Sequence, residues 1–249
     1  RMLRIEHLTK TYPGGKVAVR DLCLHVEPGD IYGFIGHNGA GKTTTIKAAV
    51  GLLDFESGRI LIDGHSIQQE PMECKRSFAF LPDDPVLFPY LTGMQYLRFV
   101  ADVFAVPADL RRERIEKETS VLGLRDALGA LISTYSHGMK QKLAIAAALL
   151  HNPKLLILDE PFVGLDPEAV AQLKQTMRRL CEAGAAVFFS THVLDTAEKI
   201  CNKVAILRRG QLVAAGQTEL LTGGRSLEEI FLEVVRDGNA AGNPDSAEG

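Results

Sequence analysis

The sequence predicts an α/β fold in which a sheet core carries an inserted helical subdomain, with a group of antiparallel strands flanking it at the start. Three observations predict this. Short apolar strands alternate with helical segments over residues 31–81 and again over residues 155–235. Between them, from about Thr92 to Leu150, charges and apolar residues fall at helical spacing. The first strands alternate apolar and polar residues, the pattern of strands buried on one face.

Arg4-Ile5-Glu6-His7-Leu8 alternates in this way, as does Val19 to Val26, after which Glu27-Pro28-Gly29-Asp30 turns the chain. Ile31–Ile35 is a short apolar strand running into a glycine-rich loop and then a helix that starts near Lys42. Residues 58–62 and 77–81 read as strands. The segment Arg111-Arg112-Glu113-Arg114-Ile115-Glu116-Lys117-Glu118 and the apolar run Leu143–Leu150 belong to the helical block. Strand–helix alternation resumes with Leu155–Leu158, a helix from about Pro167, Ala186–Phe189, a helix from about Val193 and Val204–Leu207. Arg209-Gly210-Gln211 reads as a hairpin turn and Ser226–Val235 as a last helix. The expected organisation is one domain over residues 1–236, with its core in 1–85 and 151–236 and a helical subdomain over about 86–150. The tail 237–249, rich in Gly, Asn, Ala, Asp and Ser, is expected to be flexible.

The composition, 46% hydrophobic and 24% charged over 249 residues, is that of an ordinary globular protein. A net charge of -3 argues against a general nucleic-acid footprint. Cys23, Cys74, Cys181 and Cys201 lack paired metal-ligand spacing and read as reduced thiols of a cytosolic protein. The first residues run straight into charged, alternating sequence, so no signal peptide is expected. The longest wholly apolar run is Leu143–Leu150, against the ~20 residues that a spanning helix needs. Any work at a membrane is therefore expected to be done from outside the bilayer.

Gly36-His37-Asn38-Gly39-Ala40-Gly41-Lys42-Thr43, followed by Thr44, fits G-x-x-x-x-G-K-[ST] between a strand and a helix. Glycines let successive N–H groups face one anion, and the helix N-terminus adds partial positive charge. Lys42 is expected to reach the terminal phosphates and the Thr43 hydroxyl to ligate Mg²⁺. Tyr12, before Pro13-Gly14-Gly15, is a candidate wall for a base, although an ordinary turn tyrosine also fits.

Lys154-Leu155-Leu156-Ile157-Leu158-Asp159-Glu160-Pro161 is a buried-strand pattern ending in two acids, which packing does not explain because desolvating unpaired charge is costly. Asp159 suits Mg²⁺, and Glu160 suits a general base for an attacking water. Ala186 to Thr191 is followed by His192, which can donate to a γ-phosphate oxygen or be merely structural. Gly36, Asp159 and His192 all end strands, where open α/β sheets bind their ligands. Ser136 precedes a helix, as an ordinary N-cap does, but with Gly138 it also suits a second anion contact supplied to another subunit.

With these motifs in this order, the chain resembles the ATP-binding subunits of ABC transporters up to about residue 236. Gly36–Thr43 resembles their Walker A loop, Asp159-Glu160 the end of Walker B, and Tyr135-Ser136-His137-Gly138-Met139 the signature. Leu165-Asp166 resembles the D-loop, His192 the switch histidine and Tyr12 the adenine-stacking aromatic. The resemblance implies a P-loop NTPase core with a RecA-like mixed sheet, ATP and Mg²⁺ as cofactors, and two such subunits arranged head to tail. Ser136 and Gly138 would then act on the partner's nucleotide. It further implies a separate transmembrane permease subunit and a cytoplasmic, peripheral place on the inner face of the cell membrane.

Two departures stand out against the family's Leu-Ser-Gly-Gly-Gln signature and its Q-loop. His137 and Met139 occupy the third and fifth signature places, a form that looks like the branch exporting drugs, sodium, antibiotics or bacteriocins. Asp83-Asp84 stand after Leu81-Pro82, where the Q-loop glutamine belongs, so Asp83 either reaches Mg²⁺ through oxygen or is a surface turn acid. By the same resemblance Phe88 or Tyr90 is an exposed anchor for the membrane subunit or a packing residue. A nucleic-acid or ribosome-acting module is disfavoured by the single motif set and the charge. A GTPase is disfavoured because Asn202-Lys203-Val204-Ala205 lacks the acid of a guanine reader.

Overall fold

The computed structural model describes residues 1–240, with side chains through Val234. Its centre is a six-stranded sheet formed by β3 (Ile31–Ile35), β6 (Phe78–Leu81), β7 (Leu155–Leu158), β8 (Ala186–Thr191), β9 (Lys203–Arg208) and β10 (Gln211–Gln217), in the order β10-β9-β3-β8-β7-β6. All pairs are parallel except β9 with β10, whose turn uses left-handed Arg209 and Gly210. The hairpin expected at residues 209–211 is therefore present.

Both faces of the parallel strands are buried, and period-two alternation divides their side chains between two cores. Ile31, Ile35, Leu156, Leu158, Val187, Phe189, Val204 and Ile206 pack on the helical side. Tyr32, Phe34, Leu155, Ile157, Phe188, Ala205 and Leu207 pack on the other. That second core is closed by the antiparallel sheet β2-β1-β4-β5, made of β1 (Leu3–Thr11), β2 (Val17–Val26), β4 (Ser57–Ile62) and β5 (His65–Ser66). Helix α1 (Lys42–Ala49) contributes Ile46, Ala48 and Ala49 to this core. A short helix, α2 (Pro71–Ser77), leads into β6.

Between β6 and β7 the chain is helical: α3 (Gly93–Val103), α4 (Ala108–Val121), two 3-10 turns at Arg125–Ala127 and Ile132–Thr134, and α5 (His137–Leu149). Thr92 and Gln95 cap α3 reciprocally. Leu97, Ala101, Ile115 and Leu143 join the core beneath the sheet. Helices α6 (Pro167–Glu182), α7 (Leu194–Ile200), α8 (Thr218–Thr222) and α9 (Leu227–Ala240) complete the chain. A part-buried ion pair joins α4 to α6, with Arg179 donating to both oxygens of Glu118 at 3.1 and 2.5 Å.

Helix α5 begins six residues before the apolar run Leu143–Leu150, because its first turns are polar and are fixed by a cap rather than by an apolar stripe. Helix α9 continues to Ala240, past the expected end at Val235. Residues 237–240 are thus helical, contrary to the expected tail, and the rest of that tail lies outside the described residues. Among the described residues no helix is long and apolar enough to cross a membrane.

Candidate nucleotide site

The loop joining β3 to α1 is shaped by glycines that no other residue could replace without displacement. A Cβ on Gly36 would lie 2.6 Å from the Leu207 carbonyl oxygen. Gly41 has φ of 108°, and its Cβ would lie 2.4 Å from the Ala18 carbonyl oxygen. His37, Asn38 and Gly39 face solvent, whereas Ala40 and Gly41 are buried. The loop therefore presses its ends into the core and opens its middle outward. Lys42 is only 5% exposed, and its ammonium donates to the Gly36 carbonyl at 2.6 Å and the His37 carbonyl at 3.3 Å. Thr43 is exposed on the first turn of α1. Thr44 Oγ1 lies 3.2 Å from the hydroxyl of Tyr12, which places that half-exposed ring beside the loop.

The neighbouring strand ends supply the acids. Asp159 is 3% exposed, and the Ser190 hydroxyl donates to its Oδ1 at 2.5 Å. The same hydroxyl accepts from the Glu160 amide at 2.9 Å. Glu160 has φ of 47°, a left-handed conformation unusual for a residue other than glycine. Its Oε2 meets His192 Nδ1 at 2.9 Å, and its Oε1 lies 3.3 Å from Lys42 Nζ. Glu160 is held between a lysine and a histidine, its side chain largely out of solvent. Lys42, Glu160 and His192, read separately from three segments, thus form one continuous chain of contacts at the ends of β3, β7 and β8.

Other expected residues lie apart from this group. Ser136 is exposed and caps α5, its hydroxyl accepting from the Met139 amide at 3.2 Å. A Cβ on Gly138 would lie 3.5 Å from Asp166 Oδ2, and His137 packs against Gly164. Among the described hydrogen bonds none ties Ser136 or Gly138 to Lys42, Glu160 or His192. Asp83 is exposed beyond β6 and, among the described residues, accepts only from the Asp84 amide, at 3.0 Å. Tyr90 is 72% exposed, while Phe88 is half-buried and stacks on it at 6.2 Å. Ser190 was not anticipated. Its signal was a small polar residue directly after the apolar run Ala186–Phe189.

A glycine-lined anion cradle between a parallel strand and a helix, with a lysine and paired acids at the adjoining strand ends, defines a P-loop NTPase. The comparisons narrow the class. Residues 19–163 match the ABC transporter family, and the chain belongs to it. It is 32% identical to the linearmycin resistance ATP-binding protein LnrL of Bacillus subtilis (strain 168), covering 95% of this chain and 76% of that one. It is 36% identical to the bacitracin transport ATP-binding protein BcrA of Bacillus licheniformis, covering 85% and 68%. A solved structure described as the ATP binding subunit of an ABC transporter superposes with a TM-score of 0.89 at 34% identity, covering 94% of this chain and all of that one. The chain is accordingly an ATP-binding, ATP-hydrolysing subunit of an ABC transporter, a family whose ATP-binding subunits work with transmembrane permease components.

Proposed function

We propose that ATP binds at the ends of β3, β7 and β8, with its phosphates over Gly36, His37, Asn38, Gly39, Ala40, Gly41, Lys42, Thr43 and Thr44 and its base against Tyr12. Lys42 turns from its two carbonyls to the terminal phosphates. Glu160 takes a proton from the attacking water, and His192, which Glu160 already touches, orients towards the γ-phosphate. The observation that carries this reading is the Lys42–Glu160–His192 chain of contacts, with the Glu160 carboxylate largely buried between the side chains of its two partners. The hydroxyl of Thr43 and the carboxylate of Asp159 are oxygen donors suited to Mg²⁺, which would neutralise charge between the phosphates. Asp83, exposed beyond β6, would offer the ion a further carboxylate oxygen at the rim.

In this reading two subunits stack head to tail, and Ser136 and Gly138 at the α5 N-terminus complete the partner's nucleotide site. The exposed position of Ser136 supports this, since among the described residues its hydroxyl bonds only the Met139 amide. Residues 1–236 act as one domain whose helical part, about 86–150, carries the exposed Tyr90 to a permease. The subunit then sits peripherally on the cytoplasmic face of the membrane. The names of the antibiotic-linked relatives favour export.

Mixing a Ser136→Arg variant with a Lys42→Ala variant tests the shared sites. Each alone is inactive, and the mixture recovers part of the ATPase activity if the sites are composite. No recovery at any ratio contradicts the head-to-tail arrangement.

A further inference from the structure

We propose that His7, Asp21 and Cys23 form a site for a borderline-soft divalent transition-metal ion of the zinc type, on the outer face of the antiparallel sheet. One donor atom from each residue lies within 4.8 Å of the others. Imidazole, carboxylate and thiolate together are a zinc-type donor set, with a fourth position left for water.

The backbone converges these side chains by two facing irregularities. Between the pairs Ile5↔Leu24 and Leu8↔Leu22, two residues of β1 (Glu6 and His7) oppose the single Cys23 of β2. Between Leu8↔Leu22 and Lys10↔Val19, two residues of β2 (Arg20 and Asp21) oppose the single Thr9 of β1. Each bulge contains one left-handed residue, His7 with φ of 51° and Asp21 with φ of 49°. Bulges re-aim side chains, and these two aim theirs at one another while Leu8 and Leu22 between them remain fully buried.

Hydrogen bonds already hold the donors in place. His7 Nδ1 and Asp21 Oδ1 are 2.7 Å apart, and the His7 amide donates to Cys23 Sγ at 3.2 Å. The Asp21 amide donates in turn to Thr9 Oγ1 at 3.1 Å. A polar tie between the bulges would account for His7 and Asp21. It would not require a thiol to receive the His7 amide, whereas an N–H bond to a ligating sulfur is an outer interaction of the kind that orients metal ligands. All three residues are exposed, so an ion has open access. The bound ion would cross-link β1 to β2 across both bulges and stiffen the strand whose end carries Tyr12. None of the residues assigned to nucleotide belongs to the site, so its test stands apart from that reading.

The test is titration of the nucleotide-free full chain at pH 7.5 with Co²⁺, a coloured stand-in for Zn²⁺. Cys23 is the exposed thiol, whereas Cys74 and Cys201 are buried and Cys181 is half-buried. The expected result is one Co²⁺ per chain, a thiolate-to-cobalt charge-transfer band, and its loss on adding Zn²⁺. Cys23→Ser, at an exposed position, abolishes the band. His7→Asn and Asp21→Asn keep a residue tolerant of left-handed backbone, and each weakens binding by at least about tenfold, the low end for disturbing a metal ligand. Absence of the band, its survival in Cys23→Ser, or undiminished affinity in either Asn variant overturns the proposal.

Discussion

Replacing Glu160 by Gln separates binding from chemistry most cleanly. The two side chains have the same shape, so the amide can keep its contacts with His192 Nδ1, now 2.9 Å away, and with Lys42, 3.3 Å away. Lys42 retains its Gly36 and His37 carbonyls and remains free to turn to phosphate. What disappears is the capacity to accept a proton. General-base catalysis contributes ~10²–10⁴-fold, so turnover should fall by about 10²-fold or more, which at about 1.36 kcal/mol per decade is roughly 2.7 kcal/mol of barrier. Binding should not weaken, because a negative charge beside the phosphates has been removed. The assay is steady-state phosphate release on the variant, with ATP affinity by calorimetry beside it. Turnover within about threefold of the parent would refute the base assignment, since it lies far below the ~10²-fold that a general base typically contributes.

Three further outcomes follow from the same geometry. Lys42→Ala should weaken ATP binding itself, by about tenfold or more for the loss of a charge-assisted hydrogen bond, as read by calorimetry. Tyr12→Ala should raise KM with little change in kcat, by roughly 5- to 150-fold if stacking contributes ~1–3 kcal/mol. Ser190→Ala strips a partner from Asp159 Oδ1 and from the Glu160 amide. That should cost about 1–3 kcal/mol of stability, read as a lower Tm, and slow turnover because Glu160 loses its anchor.

Legibility in the sequence tracked how local the cause was. The parallel strands were visible because burial on both faces leaves unbroken aliphatic runs such as Leu155–Leu158. The phosphate loop was visible because the spacing of its glycines is itself the motif, with Gly41 required by its left-handed φ and Gly36 by the close Leu207 carbonyl. Helix α2 went unread because it has seven mostly polar residues, with only Cys74 buried. Helix α5 was read too short because its polar first turns carry no apolar stripe, although Ser136 was already the natural cap. The contact of Glu160 with both Lys42 and His192 joins residues 118 and 32 positions apart, which spacing could suggest only through the strand-end argument. Ser190 and the left-handed turn at Glu160 were out of reach, because both answer to the neighbouring strand and not to local preference.

The most direct measurement is a structure of the chain with Mg²⁺ and a slowly hydrolysed ATP analogue. Lys42 Nζ should have left the Gly36 carbonyl for the β- and γ-phosphate oxygens, with a water held between Glu160 and the γ-phosphate and the base on Tyr12. An analogue seated away from the ends of β3, β7 and β8, with Lys42 still on its two carbonyls, would contradict the account.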